Sequence, residues 1–225
     1  MKILIAISSK EYSGPTLDVG MNIARALNAS TTILDVGKKI NELSIKDISI
    51  TNELMDTWNI DRPGVDVLEW AYHYLVKNSF IDDDSEEEVF KNKIVTENAS
   101  NRTEVYLKGA NIEKLSLILR NGDIVTELRD EVRAYEYGLT IIGGSSKRNL
   151  AHDFIQYIES SILIVNSFNL DKNYRILLAV DDSPGTANAV KYGVRVAQAF
   201  KIKVDLINIS KDGHLREGYN NAIKK

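Results

Sequence analysis

The chain has 225 residues, 44% of them hydrophobic and 27% charged, with no cysteine and a formal net charge of −4. That length buries a sizeable core, and the missing cysteines exclude disulfides, thiolate catalysis and cysteine-based metal sites. The acidic balance gives no sequence-independent pull toward nucleic acid or an anionic membrane, and no run approaches the ~18 apolar residues of a membrane span.

The N-terminus enters a strand pattern at once, without the basic and long apolar regions of a secretory leader. The expectation is a soluble cytoplasmic protein with no nucleic-acid partner and no membrane insertion. Lys2 to Ile7 is an apolar run suited to a strand buried on both faces, and a polar turn follows it. Ser13 suits a helix cap with Pro15 in the first turn, and Leu17, Gly20, Met21, Ala24 and Leu27 fall at helical spacing. Thr31 to Val36 is the second strand, which completes a βαβ unit.

Residues 38 to about 113 are less regular. Pro63-Gly64 reads as a turn, and Val67, Leu68, Ala71, Tyr72, Leu75 and Val76 mark an amphipathic helix that carries Trp70 and Tyr74. Asp82 to Glu88 is an acidic run with no glycine at a ligand-loop position, so it reads as a solvated loop rather than a cation site. Asn98 to Arg102 gives a loop, and Val105 to Leu107 an extra edge strand.

Leu115 to Leu119 is the third core strand. Asp123 caps the helix after it, whose Leu128, Val132 and Tyr135 face inward, and Gly138 closes that helix. Leu139 to Ile142 is again a buried strand, ending in Gly143-Gly144 and then Ser145, Ser146, Lys147 and Arg148. Such a strand end can hold a phosphate: glycines admit backbone N–H groups to an anion, serines add hydroxyls, and a helix capped by Asn149 presents its positive end. The alternative is a tight turn with solvated basic residues. Leu150, Phe154 and Ile158 form one helix face, with Ala151 and Ile155 beside them, and Ile162 to Val165 is the last strand of this set. The histidines, His73, His152 and His214, are scattered and fall in no metal or nucleophile motif, so neither a catalytic nor a metal site is expected.

The opening pattern returns at an offset of 173 residues without a gap: Arg175 to Val180 repeats the first strand, Asp181-Asp182-Ser183-Pro184 the turn, and Val204 to Ile209 the second strand. Gly193 repeats Gly20 inside the helix. A mid-helix glycine costs roughly 1 kcal/mol against alanine, so a close helix-to-strand approach is the expected reason for both.

The order of these elements, together with KILIAI and its polar turn, LILRNGDIVTEL, the LTIIGG strand end and the terminal ILIV, resembles the universal stress protein family. The resemblance covers about 1–37 and 115–168 as one domain, and 174–210 as the start of another. It implies an α/β fold, an open, mostly parallel five-stranded sheet with helices on both faces, of the nucleotide-binding α-hydrolase-like kind. The expected domains are 1–168, with an insertion at about 38–113, and a partial second β-α-β repeat over 173–225.

Many members of that family bind ATP through an aspartate at the end of the first strand and a loop of the form G-x-x-G, about nine residues, then G-(S/T). Here Ser8 stands at the aspartate position, Ser146 at the second glycine, and the loop is shorter by several residues. The second repeat keeps the acidic residue in Asp181-Asp182-Ser183 but stops short of a phosphate loop. The implied function is a regulatory module without efficient turnover that senses ATP or another adenine nucleotide, with Mg if bound. Its site would be Ile7, Ser8, Leu34, Asp35, Val36, Ile142, Gly143, Gly144, Ser145, Ser146, Lys147 and Asn149, with a second-repeat site at Val180, Asp181, Asp182 and Ser183. The alternative is an association module without nucleotide, such as a soluble partner of a transporter. In either case a homodimer or intrachain tandem pairing is expected.

Overall fold

The computed structural model describes residues 1–37, 64–81, 94–97, 102–106, 114–144, 148–169, 172–210 and 213–224. The acidic run at 82–88, the loop at 98–101 and Ser145 to Lys147 lie outside the described residues. The chain forms two compact units, Met1–Met21 with Ala29–Phe168, and Asn22–Asn28 with Asn169–Lys225.

The first 168 residues carry β1 (Lys2–Ile7), α1 (Gly14–Leu27), β2 (Ser30–Gly37), α2 (Val65–Lys77), β3 (Ile94–Glu97), β4 (Arg102–Tyr106), β5 (Leu115–Asn121), α3 (Ile124–Tyr135), β6 (Leu139–Gly143), α4 (Arg148–Tyr157) and β7 (Ser161–Val165). The sheet order is β3-β4-β5-β2-β1-β6-β7. The five expected strands pair in parallel, and β3 and β4 add an antiparallel hairpin beside β5. The sheet therefore has seven strands, and the segment read as an edge strand lies inside it, with β3 at the edge.

Strands covered on both faces need apolar side chains pointing both ways, which is why these runs are nearly continuous. Leu4, Leu34, Ile118 and Ile142 point to one face, where they pack with Leu128 and Val132 of α3 and with Phe154 and Ile158. The alternate set, including Ile5, Ile33 and Leu119, is buried on the opposite face. Ile155, read as flanking the α4 packing face, is mostly exposed. Asp123 caps α3 by accepting the Thr126 amide at 3.0 Å. The helix closes at Glu136, whose φ of 55° takes the left-handed position expected of Gly138; the Gly138 amide instead donates to the Lys2 carbonyl at 3.1 Å.

A polar network ties α3 to the sheet. Arg120 donates to Glu127 at 2.8 Å and to Glu131 at 2.9 Å. The Tyr137 hydroxyl donates to Glu131 at 3.1 Å and lies 3.0 Å from Thr32 Oγ1. Glu131 has no exposed surface, and each partner offsets its burial.

The second unit carries β8 (Arg175–Ala179), α5 (Pro184–Phe200), β9 (Lys203–Ile207) and α6 (Glu217–Ile223), with β8 and β9 in a separate parallel pair. Leu178, Val180, Val190 and Ala222 form its core. Two glycines 173 positions apart make the same kind of close contact. A Cβ on Gly20 would stand 2.5 Å from Ile5 Cδ1, and one on Gly193 would stand 2.6 Å from Leu178 Cδ2. Both glycines let a helix close on the equivalent residue of the strand that precedes it.

Candidate functional site

Strand β1 has β2 on one side and β6 on the other. The chain leaves β1 for β2 through α1, and leaves β6 in the opposite direction for β7 through α4. Connections that part in this way open a crevice at the carboxyl ends of the two strands, where open α/β sheets take their ligands. Ile7 and Ser8 stand on one side of the crevice, and Ile142, Gly143 and Gly144 on the other. Ser8, Gly143 and Gly144 are exposed there.

The turn after β1 is held from within. Ser13 Oγ accepts the amides of Ser8 at 3.2 Å and Ser9 at 3.3 Å, so this side chain reaches back to the strand end rather than capping α1 forward. At the end of β6 the Gly144 amide donates to the Val165 carbonyl at 2.6 Å. A Cβ on Gly144 would collide with Asn166 Oδ1 and lie 2.9 Å from the Asn166 Cα. Gly144 thus has a packing role, and its amide is already taken by a backbone partner. Asn149 falls within the first turn of α4, which begins at Arg148, and not at its cap. The exposed His152 lies further along the same helix.

Leu34 and Ile142 are buried in the core cluster, with Val36 packed against it, so these three meet a crevice ligand only through their backbones. Asp35 pairs in register with Ile7, and its side chain lies on the other face of the sheet. It is 4% exposed. Its Oδ2 would lie 2.9 Å from a Cβ on Gly64, which precedes α2 in a left-handed conformation with φ 100°. Burial, reinforced by the neighbouring charge of Asp66 and partly opposed by the Val36 amide, pushes the Asp35 carboxyl up to about 7. Asp66 itself is held below the usual carboxylate range by Lys10 of the β1–α1 turn, 3.0 Å away.

Further along α2 the Tyr74 hydroxyl lies 3.0 Å from both Asp18 oxygens, and burial together with that bond moves the tyrosine up to about 12. Trp70 packs against Tyr74 at 5.3 Å between ring centroids. Lys10, Asp66 and the Tyr74–Asp18 pair were not legible as site neighbours, because each joins α2 to residues more than fifty positions away.

In the second unit Val180 is buried, and Asp181, Asp182 and Ser183 form the exposed turn after β8. Asp181 Oδ1 accepts the Ser183 amide at 2.9 Å, the Ser183 hydroxyl at 2.5 Å and the Thr186 hydroxyl at 2.6 Å. The two hydroxyl donors and the amide hold its carboxyl down at about 2. Thr186 stands where Ser13 stands in the first repeat, and its Oγ1 accepts the Asp181 amide at 3.0 Å as Ser13 accepts that of Ser8. A cavity of about 260 Å³ lies beside this turn, lined by Asp182, Val190, Glu217 and Asn221 among others. A second of about 330 Å³ reaches from Asp181 and Gly185 to Ile207 and Ile209.

No protein-family model and no curated protein matches the sequence. Solved structures do match. A protein of Pseudomonas aeruginosa UCBPP-PA14 described as a universal stress protein superposes with a TM-score of 0.51 at 13% identity, over 99% of this chain and 67% of that one. Universal stress protein UspA from Lactobacillus plantarum has a TM-score of 0.43 at 12% identity, over 74% of this chain and 97% of its own. A universal stress protein in complex with cAMP has a TM-score of 0.44 at 12% identity, over 75% and 98%. No described helix is long and apolar enough to cross a membrane. At such identities the likeness is one of architecture, and the five parallel strands in the order β5-β2-β1-β6-β7, with helices on both faces, are the universal stress protein fold.

Proposed function

We propose that this chain is a cytoplasmic regulatory module of the universal stress type whose first unit senses an adenine nucleotide at the crevice between β1 and β6, without efficient turnover. The observation that carries this reading is the parting of connections at β1 and β6, with Ser8, Gly143 and Gly144 exposed on its two sides. The fit is uneven along a nucleotide. The exposed Ser8 hydroxyl and the backbone at the ends of β1 and β2 suit the polar edge of a base or ribose. The Gly144 amide, bonded to Val165, is not free for a phosphate. Phosphate binding in this reading falls to the segment of Ser145, Ser146 and Lys147 with the first turn of α4, and Mg would accompany the outer phosphates.

The second reading is an association module. It is favoured by Leu177, Ile207 and Ile209, which are exposed on or next to the two-stranded sheet of the second unit. A homodimer or tandem pairing that covers them belongs to this reading.

Calorimetric titration of nucleotide-stripped protein with ATP, ADP and AMP, with and without magnesium, separates the two. The sensor reading expects micromolar binding, weakened for ATP more than for AMP by Lys147→Ala. No binding of any of the three overturns it. Phosphate release measured in the same samples distinguishes a sensor from a hydrolase. Substitution of Gly144 is unsuitable as a control, because its effect on Asn166 is a packing effect.

A further inference from the structure

Asp35 is a buried carboxyl that the nucleotide reading does not use. Its side chain leaves the crevice and lies beneath Gly64, at the start of α2. Among the described residues, charged groups approach it from two elements. From α2 comes Asp66, and from the β1–α1 turn comes Lys10, which is ion-paired with Asp66. The neighbouring strand β5 offers the apolar Leu119, and Arg120 is turned the other way toward Glu127 and Glu131. Asp18 of α1 is engaged with Tyr74 farther along α2. Gly64 supplies no side-chain cap to the helix.

We propose that Asp35 is a proton-operated latch: protonated, it lets the first turn of α2 seat on the end of β2, and ionised, it opposes Asp66 and loosens that turn together with the Lys10 contact. The positive end of α2 favours a nearby negative charge, but by less than the burial of a carboxylate with no cationic partner among the described residues disfavours it. Burial and Asp66 place the titration at about 7, within the range of ordinary cellular pH changes. The latch adjoins the crevice at the Ile7–Asp35 register position and does not depend on any nucleotide being bound there.

The test is carboxyl-carbon NMR of Asp35 and amide hydrogen exchange in the intact chain, followed from pH 5.5 to 8.5. The reporting amides are Val67 and Leu68, which donate to the Gly64 carbonyl at 3.2 Å and 3.3 Å. The expected result is a carboxyl midpoint near neutrality and a roughly tenfold loss of protection at these amides across it, after correction for intrinsic exchange. Asp35→Asn should make protection independent of pH, and Asp66→Asn should move the midpoint of Asp35 downward. An Asp35 midpoint in the ordinary carboxylate range, or equal protection at both ends of the pH range, overturns the proposal even if neither variant folds.

Discussion

Arg120→Met is the most informative single perturbation of this fold. The guanidinium is 6% exposed, and it faces Glu131 at 0% and Glu127 at 16%. Its removal takes the Arg120 cation away from the buried Glu131 carboxylate, and breaking a buried pair in this way costs about 3–5 kcal/mol. Glu127 lies nearer the surface and can recruit water, so it adds little. Urea unfolding at pH 7.5, followed by tryptophan fluorescence, should show this deficit. The double variant Arg120→Met/Glu131→Leu removes both charges and leaves Tyr137 beside Thr32. It should recover all but about 1–2 kcal/mol, since apolar replacement of a whole buried pair is often near neutral. A single variant within about 1 kcal/mol of the parent at pH 7.5, or a double variant no better than the single, refutes the view that this network is a charge-balanced unit.

Three further expectations follow from the same geometry. Gly20→Ala gains about 1 kcal/mol of helix propensity but drives a methyl against Ile5 Cδ1, an overpacking of about 1–3 kcal/mol, so the variant is destabilised; Ile5→Val removes the obstructing atom, and the pair should be more stable than the two single losses predict in a double-mutant cycle. Ser8→Asp should be tolerated within about 0.5 kcal/mol in thermal unfolding, because Ser13 can donate to the new carboxylate as Thr186 donates to Asp181; under the sensor reading it also tightens nucleotide binding in calorimetry. Asp35 has its folded pKa raised to about 7. The protein should therefore lose stability between pH 4 and 7, by at most on the order of 4 kcal/mol, and Asp35→Asn should flatten that slope in pH-dependent unfolding.

The parallel core was legible because strands covered on both faces write themselves as apolar runs such as Ile3 to Ile5 and Leu117 to Leu119, and because Asp123 marks a helix start chemically. The hairpin was half legible. Val105 signalled a strand, but Ile94 to Glu97 is four residues long, too short for an alternation to stand out. Glu131 carried no sign of its burial, since a glutamate on a helix reads as solvent-facing until Arg120, on a different element, is placed beside it. Gly143-Gly144 had the composition of an anion cradle. The contact that explains Gly144, with Asn166 on the far end of β7, is tertiary and has no local signature. Asp35 is legible as a strand-end residue, yet its raised carboxyl depends on burial and on Asp66, from a helix in the least regular part of the sequence. The strand scaffold of the site was thus encoded locally, and its electrostatics came from long-range partners.

The hairpin β3–β4 also bears on the order in which the sheet can assemble. Strands β2 and β5 pair with Thr31 opposite Leu115, 84 positions later. Loop-closure entropy grows only logarithmically, so lengthening a crossover from the roughly 30 residues of a simple βαβ unit to this size adds about 1 kcal/mol. The equilibrium cost of the insertion is small, but the search for a distant partner is slow. Strand β4 meets β5 with Val105 opposite Leu117, only 12 positions apart. In pulse-labelling hydrogen exchange during refolding, amides bonded across β4–β5 should gain protection before those across β2–β5, and simultaneous protection would refute this order. The insertion then supplies β5 with an early antiparallel partner, a template on which the parallel centre of the sheet closes.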